Sequence, residues 1–158
     1  MDFIFSPWRY TYIKDANTAI ECIFCMLPLA NDDRKTLIVH RAEHNYIILN
    51  AYPYTNGHVM IVPFAHVDEY RALPSAAAQE MTALCQHMEG SLRELYQPQG
   101  INLGMNIGAA AGAGVAGHIH MHMLPRWGAD ANFMTTIGET RVLPEALEQT
   151  YERIRSKF

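Results

Sequence analysis

Seven residues late in the chain constrain it most. His118-Ile119-His120-Met121-His122-Met123-Leu124 alternates histidine with apolar residues through His122, the period of a β-strand with one buried face. Residues two apart on a strand share a face, at a separation of about 6.6–7 Å. The three imidazoles therefore point one way, and Ile119, Met121 and Met123 pack the other way. Three readings of such a row are open. It is a solvated face, a metal site built from strand histidines, or a catalytic group in which one imidazole attacks an electrophile while its neighbours orient it.

The residues just before the row bear on that choice. Gly108 to Gly117 is almost wholly glycine and alanine, with no side chain larger than Val115. Alone, such a segment is a flexible turn. Next to imidazoles it reads as a cradle, because glycines let successive N–H groups approach a phosphate closely. A cradle beside a nucleophile points to attack on phosphorus.

The rest of the chain reads as one α+β domain over residues 1–158. Residues 1–35 look irregular, with scattered aromatic residues at Phe3, Phe5, Trp8, Tyr10 and Tyr12. Strands are predicted at Thr36–His40, Asn45–Asn50 and His58–Pro63, the last following the turn chemistry of Asn56-Gly57. From Ser75 to about Tyr96, Met81, Leu84, Cys85, Met88, Leu92 and Leu95 form one helical stripe. Gln97-Pro98-Gln99-Gly100 stops that helix. A fourth strand runs over Ile101–Ile107, and a fifth over His118–Leu124, ended by Pro125. Residues 128–158 form a C-terminal extension with a last helix suggested after Pro144. A five-stranded antiparallel sheet with a long crossover helix leaves an edge and an apolar face, which a homodimer joining two sheets would cover.

Composition removes several classes of function. With 49% hydrophobic and 18% charged residues over 158 positions, disorder and coiled coil fit poorly. Twelve basic against sixteen acidic side chains, net −4, argue against a nucleic-acid polymer held through its phosphates. No apolar run reaches membrane-spanning length. The opening residues lack the basic flank of a secretory signal, so a soluble, cytoplasmic protein is expected. The three cysteines are Cys22, Cys25 and Cys85, an odd set that does not read as a disulfide framework. Cys85 falls on the helical stripe. Cys22-Ile23-Phe24-Cys25 stays open between zinc, a redox pair and two buried thiols. His40, His44 and His87 read as surface residues, and His58 as a residue behind the pocket.

From about Cys22 to Trp127 the chain resembles the histidine triad (HIT) nucleotide-binding family. His118-Ile119-His120-Met121-His122-Met123-Leu124 matches the family's central motif in full. Leu124-Pro125-Arg126 extends it in the style of the fragile-histidine-triad and bacterial diadenosine-polyphosphate-cleaving branch. Asn50 and Asn56-Gly57-His58 match upstream.

The resemblance implies a HIT-like fold and a nucleotidyl hydrolase or transferase that cleaves nucleotides, such as diadenosine tetraphosphate, at the α-phosphate, with water resolving the intermediate. The alternatives it leaves are a phosphorylase of dinucleoside polyphosphates and a non-catalytic purine nucleotide-binding module. His120 would attack the α-phosphorus to form a nucleotidyl-imidazole, its other ring nitrogen held by the carbonyl of the first histidine, and His122 would assist the leaving group. Asn50 would hold the ribose hydroxyls, and Asn106, Gly112, Gly114 and Val115 would line the α-phosphate. Family members often carry hydroxyl or amide side chains where Gly114 and Val115 stand, so only main-chain N–H groups serve there. Bacterial members also imply a structural Zn2+ on Cys22, Cys25, His66 and His118, Mg2+ arriving with the substrate, and a homodimer. Arg126-Trp127 and Asp130-Ala131-Asn132-Phe133 resemble the tail of the diadenosine-tetraphosphate branch.

Overall fold

The computed structural model describes residues 22–128, 130, 131, 135, 137 and 143–158. The aromatic residues of the first twenty positions, and Asn132 and Phe133, lie outside the described residues.

The described part of the N-terminal segment is a series of short turns rather than an irregular strap. Helix α1 (Ile23–Met26) runs into a 3-10 turn at Leu27–Ala30, and α2 (Asp33–Thr36) follows. Asp32 caps α2 by accepting the Lys35 N–H, which satisfies a donor the first turn leaves open. Leu37 then takes a left-handed conformation, φ 63°, and reverses the chain into β1. That reversal is why β1 covers Ile38–Arg41 instead of starting at Thr36.

Strands β2 (Asn45–Leu49) and β3 (Val59–Pro63) form a hairpin-like pair. The turn between them depends on Gly57, at φ 74°, where an added Cβ would meet Tyr96 at 3.0 Å and Pro125 at 3.1 Å. The long helix α3 (Ser75–Tyr96) crosses over to β4 (Gly100–Met105), and β5 (Met121–Arg126) returns between β3 and β4. The sheet is five-stranded and antiparallel throughout, in the order β1-β2-β3-β5-β4. Helix α4 (Leu147–Arg155) closes the described chain.

Both faces of the central strands are buried. On one face Ile47, Leu49, Val59, Ile61, Ile119 and Met123 meet Met81, Met88 and Leu92 of α3 and Tyr151 and Ile154 of α4. On the other, Tyr46, Ile48, Met60 and Val62 meet Phe24 of α1, with Val115 packed at the margin. Each fully buried aliphatic side chain contributes about 1.5–3 kcal/mol relative to exposure, so α1 is a structural layer and not a surface appendage.

The fifth strand is displaced from its predicted span. The β3–β5 ladder begins at Ile61 and Met121, because the next positions would bring in Pro63, which has no N–H to donate. Ile119 sends its N–H to the Val67 carbonyl instead. At the other end Pro125 lies inside β5, past the last β3 partner at Met123, and its carbonyl accepts the Thr55 hydroxyl at 3.1 Å. His118, at a bend, and His120 thus sit just before the ladder, and His122 sits within it.

Candidate functional site

His118, His120 and His122 occupy the sheet face that α1 covers, while Ile119 and Met123 lie in the core under α3. Each imidazole is held by a different partner. The Nδ1 of His120 lies 2.9 Å from the His118 carbonyl. A carbonyl only accepts, so Nδ1 carries the proton and Nε2 keeps its lone pair. Burial pushes His120 below the ordinary imidazole range, the His118 bond opposing it, so the ring is neutral near pH 7. A neutral imidazole with a free nitrogen is a competent nucleophile.

The tautomer of His122 follows from a chain of bonds that starts on backbone. The Tyr52 N–H donates to Asn50 Oδ1 at 2.9 Å, which turns the Asn50 Nδ2 toward His58. His58 Nδ1 faces that amide at 3.3 Å and the Tyr54 N–H at 3.2 Å. Both are donors, so Nδ1 of His58 accepts and its proton sits on Nε2. That Nε2–H donates to His122 Nδ1 at 2.9 Å, leaving the His122 proton on its own Nε2. One ring therefore offers a lone pair, and its neighbour, 4.8 Å away between centroids, offers a proton. The link through His58, just before β3, crosses strands; the sequence points to Asn50 and His58 but not to the bond between His58 and His122.

His58 also ties this site to acid stability. Burial, with His122 and His120 adding to it, pushes His58 from 6.5 down to about 2. The unfolded chain then binds a proton that the folded chain refuses, so stability is full above about pH 6.5 and falls as pH drops toward 2. The expected slope from His58 alone is about 1.4 kcal/mol per pH unit. Denaturant titrations at pH 7.5, 6.0 and 5.0 check it: His58→Gln should flatten the dependence by that amount, and an equal slope in both proteins contradicts the assignment.

The Gly/Ala loop ends on the same face, since Val115 packs with the cluster containing Phe24, and Phe24 touches His120. Gly108 and Gly112 take φ of 82° and 88° around a 3-10 turn at Ala109–Ala111. The Gly112 N–H is engaged by the Ala109 carbonyl at 3.0 Å, so Gly112 shapes the turn instead of presenting a donor. Among the described residues, the N–H groups of Gly114 and Val115 have no protein partner and can receive an anion. Asn106 follows Met105, which pairs with Met121. By strand alternation Asn106 shares the face of Gly104, which lies opposite His122.

The cysteines converge on the same region from behind. Cys22, Cys25, His66 and His118 bring one ligand atom each within 4.8 Å of one another. Cys25 Sγ lies 3.3 Å from His66 Nδ1 and 3.6 Å from His118 Nδ1, and Cys22 Sγ lies 3.4 Å from His118 Nδ1. Four sulfur and nitrogen ligands around a tetrahedral metal stand about 3.3–3.8 Å apart, so these donors fit a metal. His118 is prepared for that role: its Nε2–H donates to the Pro63 carbonyl at 2.9 Å, which leaves Nδ1 as the free donor atom. The triad does not converge on one ion, because His118 alone joins the cluster. Cys85 is buried in the α3 core, where burial pushes its thiol up to about 11.

The remaining sequence-singled residues lie elsewhere. Arg126 is paired with Asp130 and bonded to Asn102, and His40 and His87 both flank the Phe158 ring. The sequence held no signal for Tyr54, whose ring lies 4.7 Å from His58, or for the Pro63 carbonyl.

Comparison with known proteins bears on the fold and the family. The HIT domain model matches residues 31–128. The AP-4-A phosphorylase of Mycobacterium tuberculosis is 36% identical over 163 aligned positions, covering 98% of this chain and 83% of that protein. A Zn-bound histidine triad family protein from Mycobacterium smegmatis superposes with a TM-score of 0.69 at 26% identity, covering 87% of this chain and 93% of the other. The diadenosine triphosphate hydrolase of Plasmodium falciparum shares the fold, with a TM-score of 0.63 at 18% identity over 94% of this chain and 93% of its own. With its imidazole row, its loop and nearly two thirds of its length inside that domain model, the chain belongs to the HIT domain family.

Proposed function

We propose that this enzyme cleaves dinucleoside polyphosphates at the α-phosphorus by way of a nucleotidyl-His120 intermediate. The observation that carries the reading is the bond from His120 Nδ1 to the His118 carbonyl, which frees Nε2 for attack. In the first step Nε2 bonds to the α-phosphorus and the P–O bond to the remaining phosphates breaks. The His122 Nε2–H donates to the departing oxygen. The Gly114 and Val115 N–H groups receive the non-bridging oxygens, where charge builds in the transition state, with Asn106 at their edge. Asn50 faces the ribose. In the second step an acceptor attacks phosphorus, the P–N bond breaks and His120 is restored.

Likeness to the AP-4-A phosphorylase favours inorganic phosphate over water as that acceptor. A product assay on diadenosine tetraphosphate separates the routes. Phosphorolysis gives ATP and ADP, with labelled phosphate entering only ADP; hydrolysis gives ATP and AMP. Two ADP and no covalent adduct would place attack away from the α-phosphorus and overturn the reading.

The Cys22, Cys25, His66 and His118 cluster is read as a structural zinc site, a two-thiolate, two-imidazole set that leaves no open coordination position. Mg2+ enters with the substrate's phosphates; among the described residues only that cluster gathers three or more potential metal ligands. A homodimer is supported by β4, an edge strand with Leu103 54% exposed and Ile107 46% exposed just beyond it. The three free cysteines suit a reducing cytoplasm, and the net charge of −4 speaks against nucleic-acid polymers as partners. No helix among the described residues is long and apolar enough to cross a membrane.

A further inference from the structure

Phe24 lies between the two cysteines of the metal-binding cluster, and its ring reaches the other site. The α1 turn that carries it is closed by the N–H groups of Cys25 and Met26 on the Cys22 carbonyl, at 3.0 and 3.1 Å. Its own carbonyl accepts the hydroxyl of the buried Tyr46 at 2.7 Å. The backbone of Phe24 is therefore pinned from both sides, and the ring, 4% exposed, has little freedom. Its centroid stands 4.8 Å from that of His120, tilted by 50°, and 5.6 Å from that of His118, edge-on at 72°.

His120 needs such a wall. Its one ring hydrogen bond among the described residues, Nδ1–H to the His118 carbonyl, sets the tautomer but allows the imidazole to rock about that contact. In-line attack requires the free nitrogen within about 3–3.5 Å of phosphorus and correctly aimed. The rings packed against it, those of Phe24 and His122, supply the missing restraint. His122 is committed to the departing oxygen. Phe24 has no polar group to offer the substrate and acts only by where it stands.

We infer that Phe24 is a positioning residue for the nucleophile: from inside the Cys22–Cys25 loop its ring sets the aim of His120, so the cysteine cluster and the attacking imidazole share one wall. This rests on the nucleophilic reading of His120. It adds a residue with no polar group to offer substrate or metal, and it gives the cysteine loop a part in turnover besides holding the fold.

Phe24→Leu tests it, since leucine keeps the apolar contact with Tyr46 and Met60 and removes the ring. Three quantities are read: kcat and KM on diadenosine tetraphosphate, bound metal, and the side-chain 15N signals of His120. The expected result is a kcat lower by about ten- to a hundredfold, with KM within about a factor of three and metal content unchanged. The His120 signals should keep the Nδ1–H pattern that the His118 carbonyl sets but shift and broaden, as the ring samples several orientations. An unchanged His120 spectrum in Phe24→Leu overturns the inference whatever the rate. Should that variant lose its metal or its fold, Tyr46→Phe removes only the hydroxyl that holds the Phe24 carbonyl. It should shift the same signals less far in the same direction, and no shift there overturns the inference equally. Failure of the nucleophilic reading shows separately, as wild-type protein that forms no nucleotidyl adduct, and the ring spectrum still decides the case of Phe24.

Discussion

His120→Asn should leave a folded protein that binds nucleotide and forms no nucleotidyl adduct, with turnover reduced by about four orders of magnitude or more. Asparagine is the informative choice because its amide can donate to the His118 carbonyl from near where Nδ1 stood, so the local bond survives while the attacking nitrogen is gone. Alanine would add a cavity beneath Phe24 and confuse chemistry with packing. Binding of AMP, measured by calorimetry, should change only severalfold, since the proposed phosphate contacts come from the Gly114 and Val115 N–H groups. His122→Asn should cost less, about two to three orders, because a poorer leaving-group donor slows the first step without removing the bond-forming atom. The order of these two losses matters more than their size. If His120→Asn cleaves diadenosine tetraphosphate at the wild-type rate, or if His122→Asn is the more damaging change, the nucleophile is not His120.

The row of histidines was legible because alternation dictates a face wherever one side must be buried. Ile119 and Met123 lie in the core as the period requires, and α3 spans Ser75–Tyr96 as its stripe predicts. What stayed hidden depends on pairings between distant segments. The strand order brings β5 between β3 and β4, and only that insertion sets His58 against His122 and fixes which nitrogen of His122 carries the proton. The ladder's start at Met121 depends on Pro63, far away in the chain. Phe24 stands in the sequence only as part of Cys22-Ile23-Phe24-Cys25, and nothing local tells that α1 folds over the imidazole face. The left-handed Leu37 and the N–H of Gly112 turned inward to Ala109 are likewise decided by how the chain reverses, which composition does not record.

Loss of metal should act on stability before anything else. The ligands span the chain from Cys22 to His118 and come from α1, the segment after β3 and the approach to β5. Joining them holds α1 against the sheet face that contains Tyr46, Met60 and Val62. The two thiols and two imidazoles face one another at 3.3–3.6 Å, with both sulfurs against His118 Nδ1 and Cys25 also against His66 Nδ1. Zinc would bind both cysteines as thiolates and draw on the His118 nitrogen that the Pro63 bond leaves free. Structural zinc in small domains supplies on the order of 10 kcal/mol. This chain has its own core under α3, so the expected loss is smaller, about 4–5 kcal/mol, read as a melting temperature lower by about 10–20 °C. Protein purified without added metal should contain one equivalent of zinc per chain. Chelation and Cys22→Ser should each lower the melting temperature, and their effects should not add, since both remove the same ion. Cys85→Ser, in the α3 core and outside the cluster, should leave the metal content at one equivalent. A metal-free chain that melts with the holo-protein would show that the four donors meet without a structural ion, and that packing on Phe24 alone holds α1 in place.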